Sequence, residues 1–150
     1  MRINPRRRAG FTLVELVVVI MIIGILAAIA APKIFSTSKT ATDNAVRANL
    51  RVVRDAIDTY SANNGGALPT SASTLASQLS PYIRGGQLPN CPVGGSTTVN
   101  TATVNPGSGT QTSPPTPDGS SAYMYDSTYG WFIVNYSQTS SDGKTPYSSF

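Results

Sequence analysis

One carboxylate, Glu15, adjoins residues 16–31, a block without a single polar side chain. An ionised acid at the centre of a membrane helix costs roughly 2.5–3.5 kcal/mol on insertion scales, and less near an end, where it can snorkel to the interface. Glu15 is therefore either an interfacial acid of little consequence or the partner of a cation brought to it. Other reactive side chains are sparse. The chain has no His and one Cys, which removes His-dependent triads and the usual soft metal sites. A hard cation needs several oxygen ligands close together, and Asp118, Asp126 and Asp142 are scattered along the chain. No Gly-rich loop stands between a strand and a helix, as phosphate binding requires. The expectation is that the protein is not an enzyme and carries no metal and no cofactor. Cys91, the lone thiol, is expected to be buried rather than bridged to another chain.

The elements that position Glu15 are legible. Residues 1–10 form a short basic segment with Arg2, Arg6, Arg7 and Arg8. Residues 11–31 then make a stretch of about 30 Å at the helical rise, one hydrocarbon core thick. Arginines before it and none just after place the N-terminus in the cytoplasm and the C-terminus outside. The net charge of +4 belongs to that basic segment alone: seven cations and seven acids remain once its four arginines are set aside. The only other basic cluster, Arg47, Arg51 and Arg54, is interleaved with acids, so no nucleic-acid partner is expected. Two simpler readings stay open. A plain signal-anchor explains length and charge but not Glu15. A secretory signal peptide cut near Ala28, Ile29 and Ala30 fits a small-residue cleavage site but not the acid or the length of the block.

Gly10, Phe11, Thr12, Leu13, Val14 and Glu15 stand in a row between the basic segment and the apolar run. That arrangement resembles the cleavage and methylation motif of type IV prepilins and type II secretion pseudopilins. The resemblance implies cleavage between Gly10 and Phe11 by a prepilin peptidase on the cytoplasmic side, N-methylation of Phe11, and a mature chain of residues 11–150. It implies that Glu15 neutralises the new amine of a neighbouring subunit during assembly, because a charge pair is tolerable in a low-dielectric bundle where lone charges are not. It also gives Gly24 and Pro32 a role in loosening the helix. Gly weakens a helix and Pro removes a backbone donor, although close packing at Gly24 and a mild kink at Pro32 explain them equally well.

Beyond Pro32 the pattern becomes amphipathic. Val46, Leu50, Val53, Ile57 and Tyr60 form one apolar stripe. Asp43 with Arg47, Arg51 with Asp55 and Arg54 with Asp58 are each four apart, a spacing that suits weak pairs on a solvated face. One helix is thus expected over residues 12–63, ended by Asn63, Asn64, Gly65 and Gly66. Residues 73–79 read as a short helix stopped by Pro81. Residues 94–121 are rich in Gly, Ser, Thr and Pro and read as a long variable loop that could project from a filament, with one possible edge strand over 99–104. Tyr123, Met124 and Tyr125, a turn over 126–130, and residues 131–136 read as an antiparallel hairpin over the helix stripe. Its aromatics are assigned to core packing rather than to a ligand. The tail turns at Asp142 and Gly143 and has room for one more short strand.

The resulting expectation is an α+β, pilin-like fold: a long N-terminal helix packed against a small antiparallel sheet. Residues 1–10 are a leader, 11–32 a transmembrane and polymerisation helix, 33–64 an amphipathic helix, and 65–150 a loop-rich β domain. The resemblance implies a filament subunit of the bacterial inner membrane, with its C-terminal domain on the periplasmic side. Its implied partners are the prepilin peptidase and methyltransferase, like or related subunits through the N-terminal helix, an inner-membrane assembly platform and the lipid bilayer. The Pro-punctuated linker around residues 81–92 leans towards a type II secretion pseudopilin, with a type IV pilus subunit for adhesion, motility or DNA uptake as the alternative.

Overall fold

A computed structural model describes residues 10–150. The basic leader expected over residues 1–10 lies outside the described residues except for Gly10. The long helix, α1, runs Leu13–Asn63, within a residue of the expectation. It ends where Gly65 and Gly66 take φ of 66° and 91°, which lets the Gly66 N–H return to Ser61 O at 2.8 Å.

The chain divides into two compact units, residues 1–37 and 38–150. In the first, every described residue is exposed. Phe11, Leu13 and Ile29 are each at least 70 % exposed, and this part of α1 is long and apolar enough to cross a membrane. So much unburied apolar surface is sustainable only in lipid or against other apolar helices.

In the second unit α1 supplies one wall of a core. Val46, Leu50, Val53 and Ile57 are at most 3 % exposed. They join Leu75 and Leu79 of a short helix, α2 (Ala72–Leu79), together with Tyr123, Tyr125, Phe132 and Val134. Ser71 caps α2 by accepting from the Thr74 N–H at 3.3 Å. α2 ends at Leu79, as expected ahead of Pro81, and the chain passes into a 3-10 turn, Ser80–Tyr82; Pro is tolerated in that first turn, where its missing N–H has no partner to lose.

Three short strands follow: β1 (Val104–Pro106), β2 (Tyr123–Tyr125) and β3 (Phe132–Val134), in the order β1-β2-β3. β2 and β3 form the expected antiparallel hairpin, with Met124 opposite Ile133. β1 lies parallel to β2, pairing Val104 with Tyr123, so the sheet is mixed rather than wholly antiparallel. The edge strand is also displaced from residues 99–104: residues 99 and 100 form a turn, with Asn100 at φ 58°, and only Val104 belongs to β1. Residues 107–122 make the parallel crossover and lie down on the sheet instead of projecting. A Cβ at Gly107 would sit 2.6 Å from Met124 Cγ and 2.7 Å from Pro115 Cγ, so only glycine allows this approach. That cover explains why β2 and β3 are buried on both faces. Asn135, fully buried, fixes the end of the crossover: its Oδ1 accepts from the Asp118 and Gly119 N–H groups at 2.7 and 3.0 Å. The tail adds a single bridge, Thr139 with Pro146, and a 3-10 turn at Tyr147–Ser149 rather than another strand. Cys91 is a buried free thiol, its pKa pushed up first of all by burial.

The charges of the amphipathic segment correct the reading of a solvated face. Arg51 and Asp55 do form an exposed pair at 3.8 Å. Asp43 is instead buried. It accepts from the Ser141 N–H at 2.9 Å, from the Ser141 hydroxyl, and from Tyr147 Oη at 2.7 Å. Arg54 donates Nε and Nη2 to Phe132 O at 3.1 and 2.9 Å, and Nη1 to Phe150 O at 2.7 Å. Arg47 lies over the Phe150 ring, 3.6 Å from its centroid. These charges bind the tail and β3 to the helix.

Candidate functional site

The site begins at the entry to α1. Gly10, Phe11 and Thr12 precede the helix without regular structure, and Gly10 and Phe11 are exposed, so the Gly10–Phe11 amide stands clear of helical hydrogen bonding. Thr12 is the N-cap. Its hydroxyl accepts from the Glu15 N–H at 3.2 Å, while Glu15 Oε2 accepts from the Thr12 N–H and the Thr12 hydroxyl, each at 2.8 Å. This is a capping box, in which two orphan helix donors are satisfied reciprocally. The carboxylate also lies at the positive end of the helix dipole. Glu15 thus caps its own helix through Oε2, and Oε1 accepts no hydrogen bond among the described residues. Thr12 is the site residue that the sequence reading missed, and its signal, a Thr three residues before a Glu, stands in the sequence.

Gly24 has open space around its missing side chain, with no atom within 4 Å of an ideal Cβ, so a second helix backbone can approach there. Pro32 lies inside α1, which is helical on both sides of it. Its missing N–H leaves the carbonyl one turn earlier, on Ala28, without an intrahelical donor. Just beyond, Ser36 Oγ and Thr37 Oγ1 both donate to Lys33 O, at 3.0 and 2.9 Å, a back-bonding that weakens helices slightly. Gly10, Phe11 and Glu15 are brought together at the helix entry; Gly24 and Pro32 lie farther along α1.

The acids considered for a hard cation are occupied separately. Asp118 is held at about 2 by the Ser120 hydroxyl and N–H and by Asn135. Burial opposes ionisation of Asp126, but N–H donors from Gly109, Thr128 and Tyr129 outweigh it and lower its pKa. The Thr145 and Lys144 donors lower that of Asp142. No three potential ligands cluster among the described residues.

A family model of the prokaryotic N-terminal methylation motif matches residues 5–31. The type II secretion system core protein G of Pseudomonas aeruginosa is 36 % identical over 59 residues, 39 % of this chain and 42 % of that protein. The type IV major pilin protein PilA of Myxococcus xanthus is 46 % identical over 52 residues, 35 % of this chain and 23 % of that protein. The competence protein ComGC of Halalkalibacterium halodurans is 31 % identical over 83 residues, 55 % of this chain and 78 % of that protein. The match spans between 23 and 64 % of the core protein G and pilin relatives, less than two thirds of each. No solved structure matches the chain.

Proposed function

We propose a filament role from one premise: the chain belongs to the type IV pilin and pseudopilin superfamily, a family of structural subunits and not of enzymes. Within it, the reading best supported is a pseudopilin of a type II secretion system. The observation that carries the filament role is the helix entry, where Gly10, Phe11 and Glu15 stand in processing order at the start of an unburied apolar helix. The likeness to core proteins G from three organisms favours the secretion machine.

A prepilin peptidase adds water across the Gly10–Phe11 amide, leaving a carboxylate on Gly10 and an ammonium on Phe11, which is then methylated. That ammonium sits at the positive end of its own helix, where a cation is disfavoured. Glu15 of a neighbouring subunit offsets it, using the oxygen that the capping box leaves open. Each lone charge would be costly in an apolar bundle and the pair much less so, so the pairing favours one stagger between subunits. Gly24 admits a close helix neighbour, and the missing donor at Pro32 lets α1 loosen between them.

Residues 11–32 then act as membrane anchor and polymerisation helix. Residues 33–64 form the amphipathic spine, and residues 65–150 the extracytoplasmic domain. The arginines before the span keep the N-terminus cytoplasmic, and an inner-membrane assembly platform extracts the subunit. A type IV pilus subunit is the second reading, favoured by the 46 % identity to a major pilin. A deletion strain separates the two: the pseudopilin reading predicts secreted enzymes retained in the periplasm with surface fibres unchanged. Loss of fibres with normal secretion would overturn it in favour of the pilus.

A further inference from the structure

We propose that the cleft between the second half of α1 and the β2–β3 turn binds an uncharged saccharide. The cleft encloses about 640 Å³ and is lined by Arg54, Ile57, Asp58, Gln111, Tyr129 and Trp131, among others, a size usual for small-molecule sites. Its aromatics differ from those of the core. Tyr123, Tyr125 and Phe132 are at most 1 % exposed. Tyr129 is 48 % exposed, Trp131 is half-buried, and neither belongs to the core cluster. Aromatic rings left outside a core on a fixed turn need another reason to be there.

The Trp131 ring is held, and so is the backbone that carries Tyr129. Trp131 Nε1 donates to Thr110 O at 2.8 Å. The turn carrying Tyr129 is fixed by Asp126, whose Oδ1 accepts from the Thr128 and Tyr129 N–H groups at 2.7 and 3.3 Å. The polar groups around them are free. Among the described residues, the Asp58 carboxylate, the Gln111 amide and the Tyr129 hydroxyl have no hydrogen-bond partner in the protein. An aromatic face beside an unused carboxylate and an unused amide suits a sugar ring: its C–H face stacks on the ring and its hydroxyls donate to Asp58 and accept from Gln111.

Charge selects against ionic ligands. Arg54, fixed by Phe132 O and Phe150 O, brings one positive charge, and Asp58 brings one negative. The neighbouring Arg51–Asp55 pair is also balanced. With one positive and one negative charge on its lining, neither a cation attracted to the rings nor a nucleic-acid backbone gains an advantage.

Trp131 is the only tryptophan, so its emission reports on the cleft directly. The full chain, in a zwitterionic detergent without a sugar headgroup, is titrated with maltotriose, cellotriose, mannotriose and chitotriose, and separately with spermidine and a short oligothymidylate. At least one neutral trisaccharide is expected to change the emission saturably with Kd on the order of 1 mM, and Tyr129→Ala to weaken it at least about tenfold. Gln111→Ala, on an exposed loop, is expected to weaken it in the same direction should Tyr129→Ala fail to fold. No saturable change with any neutral trisaccharide would overturn the proposal, as would tighter binding of spermidine or oligothymidylate or unchanged affinity in the folded variants.

Discussion

Glu15→Ala is expected to yield subunits that are cut after Gly10 and inserted in the membrane but do not enter filaments. The substitution leaves Gly10 and Phe11 intact, so processing proceeds. It removes an acceptor for the Thr12 donors at 2.8 Å, a cap whose loss costs about 1 kcal/mol. The larger loss lies between subunits. Breaking a buried ion pair by deleting one partner costs about 3–5 kcal/mol, so the Phe11 ammonium left alone in the apolar bundle should lower assembly at least about a hundredfold. Glu15→Gln separates the two roles. Glutamine also serves at this position of a capping box but carries no charge, so it should restore the helix entry and not the filaments. Yield of sheared filaments against total membrane subunit reads the result. Wild-type yield from either variant would remove the pairing from the account.

Asp43→Ala is expected to lower the melting temperature of the C-terminal unit by about 10 °C at neutral pH. Asp43 joins α1 to a tail about a hundred residues away in sequence through Ser141 and Tyr147. Hydrogen bonds to a charged group contribute about 1.5–3 kcal/mol, and in a domain of this size each kilocalorie is worth roughly 4–8 °C. The pH dependence has a definite sign. Burial opposes ionisation of Asp43, but the Ser141 and Tyr147 hydroxyls, the Ser141 N–H and Arg47 outweigh it, and its pKa lies below the ordinary carboxylate value. The tyrosine responds oppositely, pushed up to about 12 by burial and by its bond to Asp43. A carboxyl with a depressed folded pKa stabilises fully above its unfolded pKa, and that stability is lost as pH falls through the folded value. The difference between wild type and Asp43→Ala should therefore be constant above about pH 5 and shrink below about pH 4. Acid stability alone does not isolate Asp43, because Asp118, Asp126 and Asp142 are depressed as well; the paired comparison does. A difference that grows on acidification would contradict the assignment.

What the sequence makes legible follows from which forces are local. The extent of α1, its stripe of Val46, Leu50, Val53 and Ile57, and the glycine stop at Gly65 all rest on periodicity and backbone preference, and they fall where expected. Asp43 and Arg54 were illegible because each has a partner of opposite charge four residues away, which explains its presence without tertiary structure. Their actual acceptors and donors are a distant hydroxyl, a phenol and the carbonyl of Phe132, and a carbonyl has no sequence signature. Residues 107–122 were readable as loop from composition alone, but composition does not say that the loop covers a sheet. That depends on the absence of a Cβ at Gly107 beside Met124. The parallel placement of β1 follows from the same crossover, and a three-residue strand carries too little alternation to announce its direction. Thr12 was legible at capping-box spacing, but the apolar block draws the reading of Glu15 towards the membrane instead.

The most direct test of the filament-subunit account is the intact mass and first residue of the protein purified from its native membrane. The account predicts a chain that begins at Phe11 with one methyl group on its amine. A chain beginning near Ala31, or one still carrying Met1, would contradict prepilin processing and return the protein to a secreted domain or a simple membrane anchor.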